Sequence, residues 1–300
     1  MLTYGFIKLV PLQMPAPSLG RLIEPFGNLS PMGVLWASIG ASRPYEMVAG
    51  TAEVMGGLLV MIPQTAKIGA LLCLVDASDV FALNMTYDVP VKLFSFHLML
   101  MSMLLLARDA RPLVNLFLRG DADRLSAEPM LARTARGRMW VMIGQVAYAL
   151  YVAATFGWTD LKTWKQTAGA PRPPLFGLWE VQEMTVDGVS RPPLLTDTLR
   201  WRRAAVTRPG AFSVLRMDDS LIVFFANVDT VSRTIELTSP IDPKKPKQTL
   251  TYARPEPGRV IYDGTYNGHV VHVETTYRGL ESFPLNTRGF YWVQEVPYNR

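Results

Sequence analysis

Four ionisable side chains lie inside otherwise apolar stretches of the chain: Glu53, Asp76, Asp79 and His97. A charge at the depth of a bilayer is costly, so such a group usually pairs with another group or marks a functional interior. Carboxyl and imidazole groups can exchange protons with a bound molecule. These residues therefore predict an intramembrane polar site that handles protons or binds the headgroup of a quinone.

The spacing of the acids allows them to converge. Asp76 and Asp79 are three residues apart, so a helix places both on one face. On the preceding apolar stretch, Glu53 shares a helical face with Gly56 and Gly57, which permit close helix contact. The alternative interpretation is structural: the polar groups form helix–helix hydrogen bonds and hold the helices together.

The remaining residue patterns assign no catalytic set. His272 and Glu274 share a strand face, but no nucleophile accompanies them. One histidine in an apolar stretch cannot supply two axial haem ligands, and metal-ligand spacings are absent. The catalytic residues therefore stay unassigned, no metal is expected, and quinone is the one candidate cofactor.

The elements that carry the polar residues are four apolar segments of about bilayer length. They cover residues 45–62, 69–85, 91–107 and 139–158. Short connections between the first three make neighbouring helices antiparallel. The pattern predicts an antiparallel transmembrane four-helix bundle.

Arginines set the expected orientation. Residues 108–138 contain seven of them, including Arg124, and the positive-inside rule places this connection in the cytoplasm. Residues 159–300 and the first 44 residues then lie outside. Within the basic connection, residues 112–119 are expected to form an interfacial helix. Two explanations are open for the outside N-terminal segment: the first span carries this short tail across the membrane, or Met1 is an internal start of a longer chain. The apolar residues 1–10, which look like the end of a longer helix, favour the second.

The second half of the sequence is typical of an antiparallel β-barrel or sandwich. Short alternating runs are separated by turn signals, and Asn267-Gly268 is a strong hairpin signal. The expected strands cover residues 177–186, 201–206, 212–217, 221–228, 232–238, 248–254, 260–266 and 269–277. A further strand at 288–295 is expected to pair with the first and close a lipocalin-like barrel. Such a barrel is either filled or holds one small ligand.

These patterns together predict an α+β protein of 300 residues. Its expected parts are an extracytoplasmic segment (1–44), a membrane domain (45–158), a linker (159–174) and a soluble β-domain (175–300).

The chain is 49 % hydrophobic with a formal net charge of +5. No basic stripe is interleaved with exposed aromatics, so nucleic acid is not an expected partner. The Lys244-Lys245 region is expected to be an exposed hairpin tip.

Four sequence blocks resemble the DoxX family of bacterial membrane proteins. They are LIEPFG at 22–27, SPMGVLW at 30–36, AGTAEVMGG at 49–57 and LNMTYDVPVKL at 83–93. The resemblance covers residues 22–118. It implies a multi-pass protein of the bacterial inner membrane, linked to quinone-dependent oxidation or to membrane oxidoreductase subunits. The family has no agreed catalytic motif, so no catalytic residue is carried over.

Three functions remain open. The first is an accessory, non-catalytic component of a membrane redox or envelope assembly. The second is a membrane-anchored β-barrel that binds an apolar ligand or a protein partner. The third is a transporter of protons or a small solute.

Overall fold

The computed structural model describes residues 1–120, 126, 132–242, 246–289 and 291–298. The chain forms two compact units. The helical unit comprises Met1–Ala16 and Ser30–Ala170, and the β unit comprises Pro17–Leu29 and Pro171–Arg300. The segment Pro17–Leu29 thus belongs to the β unit, although the chain on both sides of it belongs to the helical unit.

Within the described residues, nine α-helices follow one another along the chain. They are α1 (Leu2–Leu9), α2 (Leu19–Ile23), α3 (Pro31–Gly40), α4 (Arg43–Val60), α5 (Ala66–Thr86), α6 (Lys92–Leu106), α7 (Ala110–Arg119), α8 (Ala135–Gln166) and α9 (Pro284–Thr287). A 3₁₀ turn at Ala107–Asp109 joins α6 to α7.

Local sequence explains where several helices begin. The Ser30 hydroxyl accepts a hydrogen bond from the Gly33 backbone N–H at 3.1 Å, and proline stands in the first turn of α3. Thr134 caps α8 in the same way through the N–H of Gly137, at 3.1 Å. Such caps satisfy backbone donors that the first helical turn leaves without partners.

Three helices of the described chain are long and apolar enough to cross a membrane. They are Ala66–Thr86, Lys92–Arg119 and Ala135–Gln166. The expected first span at 45–62 largely coincides with α4, which is not among them. Its 18 residues include Arg43, Glu46 and Glu53, and this charge lowers its apolar character. The predicted transmembrane four-helix bundle is therefore not confirmed, whereas three membrane-length helices are.

The basic connection between α6 and α8 begins as a helix. The expected interfacial segment 112–119 lies within α7, which exposes Val114, Phe117 and Leu118. Asp109 accepts hydrogen bonds from the backbone N–H (2.5 Å) and hydroxyl (2.8 Å) of Ser126. The expected contribution of Arg124 lies outside the described residues.

The β unit contains nine strands within the described residues. They are β1 (Gly177–Val186), β2 (Val189–Ser190), β3 (Trp201–Val206), β4 (Ala211–Arg216), β5 (Leu221–Asp229), β6 (Thr234–Thr238), β7 (Gln248–Ala253), β8 (Arg259–Tyr266) and β9 (His269–Arg278). Each pairs antiparallel with its neighbour in the order β2-β1-β3-β4-β5-β6-β7-β8-β9, and β1 also pairs with β9. Eight strands therefore close a barrel, with β2 as a short addition to β1. The predicted α+β class with an antiparallel barrel is confirmed.

The closing strand differs from the expected one. β9 completes the barrel, with Leu178 opposite Arg278 and Val186 opposite Val271. Tyr291–Tyr298 forms no strand, and Trp292 is exposed. The prediction of this strand is wrong because β9 already pairs with the open edge of β1, which leaves the C-terminal segment no strand to pair with. The expected Asn267-Gly268 hairpin does form, with Tyr266 opposite His269 and both turn residues at positive φ.

Side chains fill the barrel. Trp201, Phe212 and Tyr262 are completely buried and contact one another and Tyr266 in tilted and edge-to-face arrangements. A smaller apolar cluster joins Leu19 and Ile23 of α2 to Leu178, Ala205 and Leu215 of the barrel. The expected tip at Lys244-Lys245 lies outside the described residues.

Candidate functional site

The helical unit contains a cavity bordered by α1, α3, α4, α5 and α6. The cavity opens to the surface of the unit, and its enclosed part amounts to about 100 Å³. Ligand sites typically combine an apolar lining with a few polar groups. Here the polar lining consists of Lys8, Gln13, Glu46, Glu53, Asp76, Asp79, Asn84 and Ser95, with Tyr4, Trp36, Tyr45 and Phe94 among the aromatics.

A buried ion pair forms part of this lining. The Lys8 ammonium on α1 donates to Oε1 of Glu53 on α4, and both residues are buried. Removing one partner of such a pair leaves an uncompensated charge, which is strongly destabilising. The pair therefore ties α1 to α4 and accounts for the charge of Glu53.

Small residues allow α1 to approach α4. A Cβ atom added at Gly50 would lie 2.7 Å from the carbonyl oxygen of Gly5 and 2.8 Å from the carbonyl carbon of Lys8. Real side chains do not come so near to backbone, so only glycine fits at this crossing. The close approach brings the Lys8 side chain within reach of Glu53.

Glu46 is a second buried acid, about two turns before Glu53 along α4. Its side chain is fully buried, and its Oε1 accepts a hydrogen bond from the Met14 N–H at 2.9 Å. Its Oε2 has no hydrogen-bond partner among the described residues, and neither do Asp76 Oδ2 and Gln13 Oε1. Buried polar atoms are normally satisfied, so three unpartnered acceptors beside one cavity call for an explanation.

Several donors in the lining have partners within the protein. Trp36 donates its indole N–H to the carbonyl oxygen of Gln13 at 3.2 Å. Asn84 donates to the Ser95 hydroxyl at 3.0 Å, which links α5 to α6. The Ser95 hydroxyl in turn donates to the Lys92 carbonyl at 2.9 Å.

The structure brings three of the four predicted site residues to this cavity. Glu53 is buried, Asp76 is half-buried and Asp79 lies at the more exposed edge. His97 is exposed and does not line the cavity, so the expected convergence excludes it. Its Nδ1 lies 2.5 Å from the Leu93 carbonyl oxygen, one turn earlier on its own helix, which directs the ring along α6.

Sequence reasoning missed Lys8, Gln13 and Glu46. Lys8 interrupts the apolar run of residues 1–10, a signal of the same kind that identified Glu53. Glu46 lies in the first turn of α4, where an acid is commonly solvated and favourable to the helix dipole. Nothing local distinguishes it from a surface residue, because its burial depends on the chain around Met14.

In the described part of the chain, the barrel interior offers no comparable space. The small recess beside Met184, Leu199 and Tyr266 has no enclosed volume for a water molecule, because the aromatic core fills the barrel. On the outer surface, His272 Nδ1 lies 2.6 Å from Asp263 Oδ1, and this hydrogen bond raises the pKa of the imidazole. Among the described residues no group of three or more His, Cys, Asp or Glu side chains is arranged to hold a metal ion.

Comparisons with known proteins give one distant relative. The chain is 28 % identical over 111 residues to the uncharacterised protein YwoB of Bacillus subtilis (strain 168), a match covering 34 % of this chain and 72 % of that protein. No protein-family model matches the chain. No solved structure matches it either.

Proposed function

We propose that this protein is a DoxX-like multi-pass protein of the bacterial inner membrane. Its helical unit binds the headgroup of a membrane quinone in the acid-lined cavity. It acts as an accessory component of a membrane redox or envelope assembly, with partner subunits carrying out the chemistry. In this proposal α4 joins the three membrane-length helices as a fourth crossing, and the β unit lies outside the cytoplasm.

One observation carries the proposal: a cavity among apolar helices whose lining contains a buried ion pair and unpartnered acceptors. Quinones have an apolar body and a polar ring, which matches an apolar lining with a few convergent polar groups. Polar groups within membrane helices typically mark binding sites or proton relays. The absence of an assigned nucleophile or catalytic set in the sequence supports an accessory role rather than a free-standing enzyme.

The test is purification of the full chain in mild detergent, followed by mass analysis of bound lipids and subunits. We expect a quinone to accompany the wild-type protein and to be lost from Asp76→Asn and Glu53→Gln. Asp88→Asn is the matched control, because Asp88 is exposed and pairs only with Lys92 at 2.6 Å. A wild-type protein that carries no quinone and binds none when it is added would refute the proposal.

The orientation has its own test. Reporter domains fused after Gly120 and after the last residue should report opposite compartments, with the Gly120 fusion in the cytoplasm. The same compartment for both would contradict the proposed topology.

A second proposal places binding on the barrel surface. The filled interior argues against an apolar ligand inside it, but Val223 and Phe225 are exposed side by side on β5. Such neighbouring apolar residues suit a protein partner. Replacing both by serine should release a co-purifying subunit without affecting quinone content. Transport of protons or a small solute stays a third proposal, which the same cavity would serve.

A further inference from the structure

The cavity has an unequal supply of hydrogen-bonding groups. Three of its side chains donate within the protein: Lys8 to Glu53, Trp36 to the Gln13 carbonyl oxygen, and Asn84 to Ser95. The ammonium of Lys8 and the amide of Asn84 keep further N–H groups, and the tyrosine hydroxyls of the lining can act as donors or acceptors. The selection of a ligand therefore depends on the acceptors.

Acceptors are in excess. Glu46 is completely buried, yet only one of its two carboxylate oxygens has a partner. Asp76 Oδ2 and Gln13 Oε1 are buried and unpartnered in the same lining. Each unsatisfied buried acceptor costs about 1–3 kcal/mol, which a donating ligand would recover.

The carboxyl groups favour the same kind of ligand. Four of them line the cavity, and Lys8 is already paired with one. A carbonyl oxygen has no hydrogen to donate to their oxygen atoms. A hydroxyl group presents its hydrogen to them instead.

From these contacts we infer that the cavity selects a ligand that donates hydrogen bonds, namely the hydroquinone form of the ring rather than the quinone form. This inference rests on the proposed function. The two forms share ring and tail, but the hydroquinone has two hydroxyl donors where the quinone has two carbonyl acceptors. Glu46 Oε2 is the central acceptor, with Asp76 Oδ2 and Gln13 Oε1 as the others.

The preference for the hydroquinone over the quinone should be substantial. A site built to pair with a hydroxyl group rejects an analogue that leaves its buried polar groups unpaired. If a ligand hydroxyl pairs with one of these acceptors and gains about 1.4 kcal/mol, its affinity rises tenfold over that of a ligand without the hydroxyl. We therefore expect the hydroquinone to bind roughly tenfold or more tightly than the quinone.

The experiment measures binding of four probes to the full chain in detergent: decylhydroquinone, decylbenzoquinone, the dimethyl ether of the hydroquinone, and decylamine. The hydroquinone should bind most tightly, and the ether, which has no donor, should bind as weakly as the quinone. Equal or tighter binding of the quinone overturns the inference but leaves the proposed function standing. Failure of both ring forms to bind overturns both. Tighter binding of decylamine than of the hydroquinone overturns the hydroquinone as the ligand.

Glu46→Gln tests the assignment to a residue. The amide keeps an oxygen for the Met14 N–H and places an NH₂ donor in the position of Oε2. We expect the preference for the hydroquinone to shrink at least threefold, with part of the change arising from tighter quinone binding. Glu256→Gln is the matched control, because Glu256 is an exposed acid of the β unit. Asp76→Asn provides a second variant should Glu46→Gln fold poorly, and an unchanged preference in both would overturn the inference.

Discussion

The helical unit and the β unit bury different kinds of side chain. Buried polar residues of the helical unit are Lys8, Glu46, Glu53, Asn84, Ser95, Ser102 and Asp109, whereas those of the β unit are Arg200, Ser213 and Thr275. The barrel core is an aromatic and aliphatic cluster without an acid. Its one buried cation, Arg200, donates to the carbonyl oxygens of Arg191 at 2.7 Å and Trp201 at 2.9 Å.

Burial of side chains therefore serves a different purpose in each unit. In the barrel, apolar area removed from water supplies stability, and no volume is left for a ligand. In the helical unit, polar groups surround an open space, and several of them lack partners. Buried polar atoms without partners occur in both units, but only in the helical unit do they border an open cavity among the described residues. The helical unit is therefore the one equipped to bind, and each change below should affect one unit more than the other.

The largest effect is expected in the barrel core. Trp201→Ala removes a fully buried indole that contacts Phe212, Tyr262 and Tyr266. Large-to-small changes of this kind cost about 3–5 kcal/mol of unfolding free energy. Circular dichroism during denaturant unfolding would measure the loss. Trp292→Ala, at an exposed tryptophan, is the control and should change stability little; a similar loss in both variants would contradict the filled-core description.

A comparable effect in the helical unit should follow from breaking the buried ion pair. Lys8→Met leaves Glu53 buried without its counter-charge, at a cost of about 3–5 kcal/mol. The apparent unfolding temperature in detergent measures it. Lys8→Met combined with Glu53→Met removes both charges and should restore most of the stability. If the double variant were no more stable than Lys8→Met, the pair would not be the reason for the loss.

A smaller effect is expected from the helix crossing that positions Lys8. Gly50→Ala places a methyl group against the backbone of α1, where no room exists. Overpacking of this kind costs about 1–3 kcal/mol and should also weaken binding in the cavity. Gly144→Ala on α8 is the matched control, since a Cβ atom there meets nothing within 4 Å. Equal tolerance of both changes, read by melting temperature and probe affinity, would refute the close crossing.

The smallest effect concerns pH and the barrel surface. Asp263 raises the pKa of His272 in the folded protein above its ordinary value. The folded state then binds the proton more tightly than the unfolded state. Protonated His272 therefore stabilises the folded protein below about pH 6.5, and this stabilisation is lost as pH rises through the folded pKa. The side chain is partly exposed, so the effect should stay under about 1 kcal/mol. The unfolding free energies of His272→Gln and the wild type, compared at about pH 5 and about pH 8.5, measure this effect. A stability difference that is independent of pH would contradict the pairing of His272 with Asp263.

The sequence was more informative about the β unit than about the site. Alternation and turn residues predicted all eight barrel strands to within two residues at each end, because both signals are local. The site depends on contacts between residues far apart, such as Lys8 with Glu53. Periodicity could place Glu53 and Asp76 on inward faces, but it could not show that α1 supplies the counter-charge. The exposure of His97 was equally inaccessible, because one histidine on an apolar helix has no preferred face.

The segment Pro17–Leu29 constrains whether the number of membrane crossings is odd or even. The Leu19 N–H donates to the Thr207 hydroxyl at 3.2 Å, and the Asn28 amide donates to the Asp219 carbonyl at 3.1 Å. Both ends of residues 30–170 therefore enter one folded body, which has to stand on a single side of the bilayer. The intervening chain must cross an even number of times, and the three membrane-length helices are an odd number. The proposed topology, in which α4 is a fourth crossing, satisfies this rule, and Glu46 and Glu53 of α4 are buried within the protein.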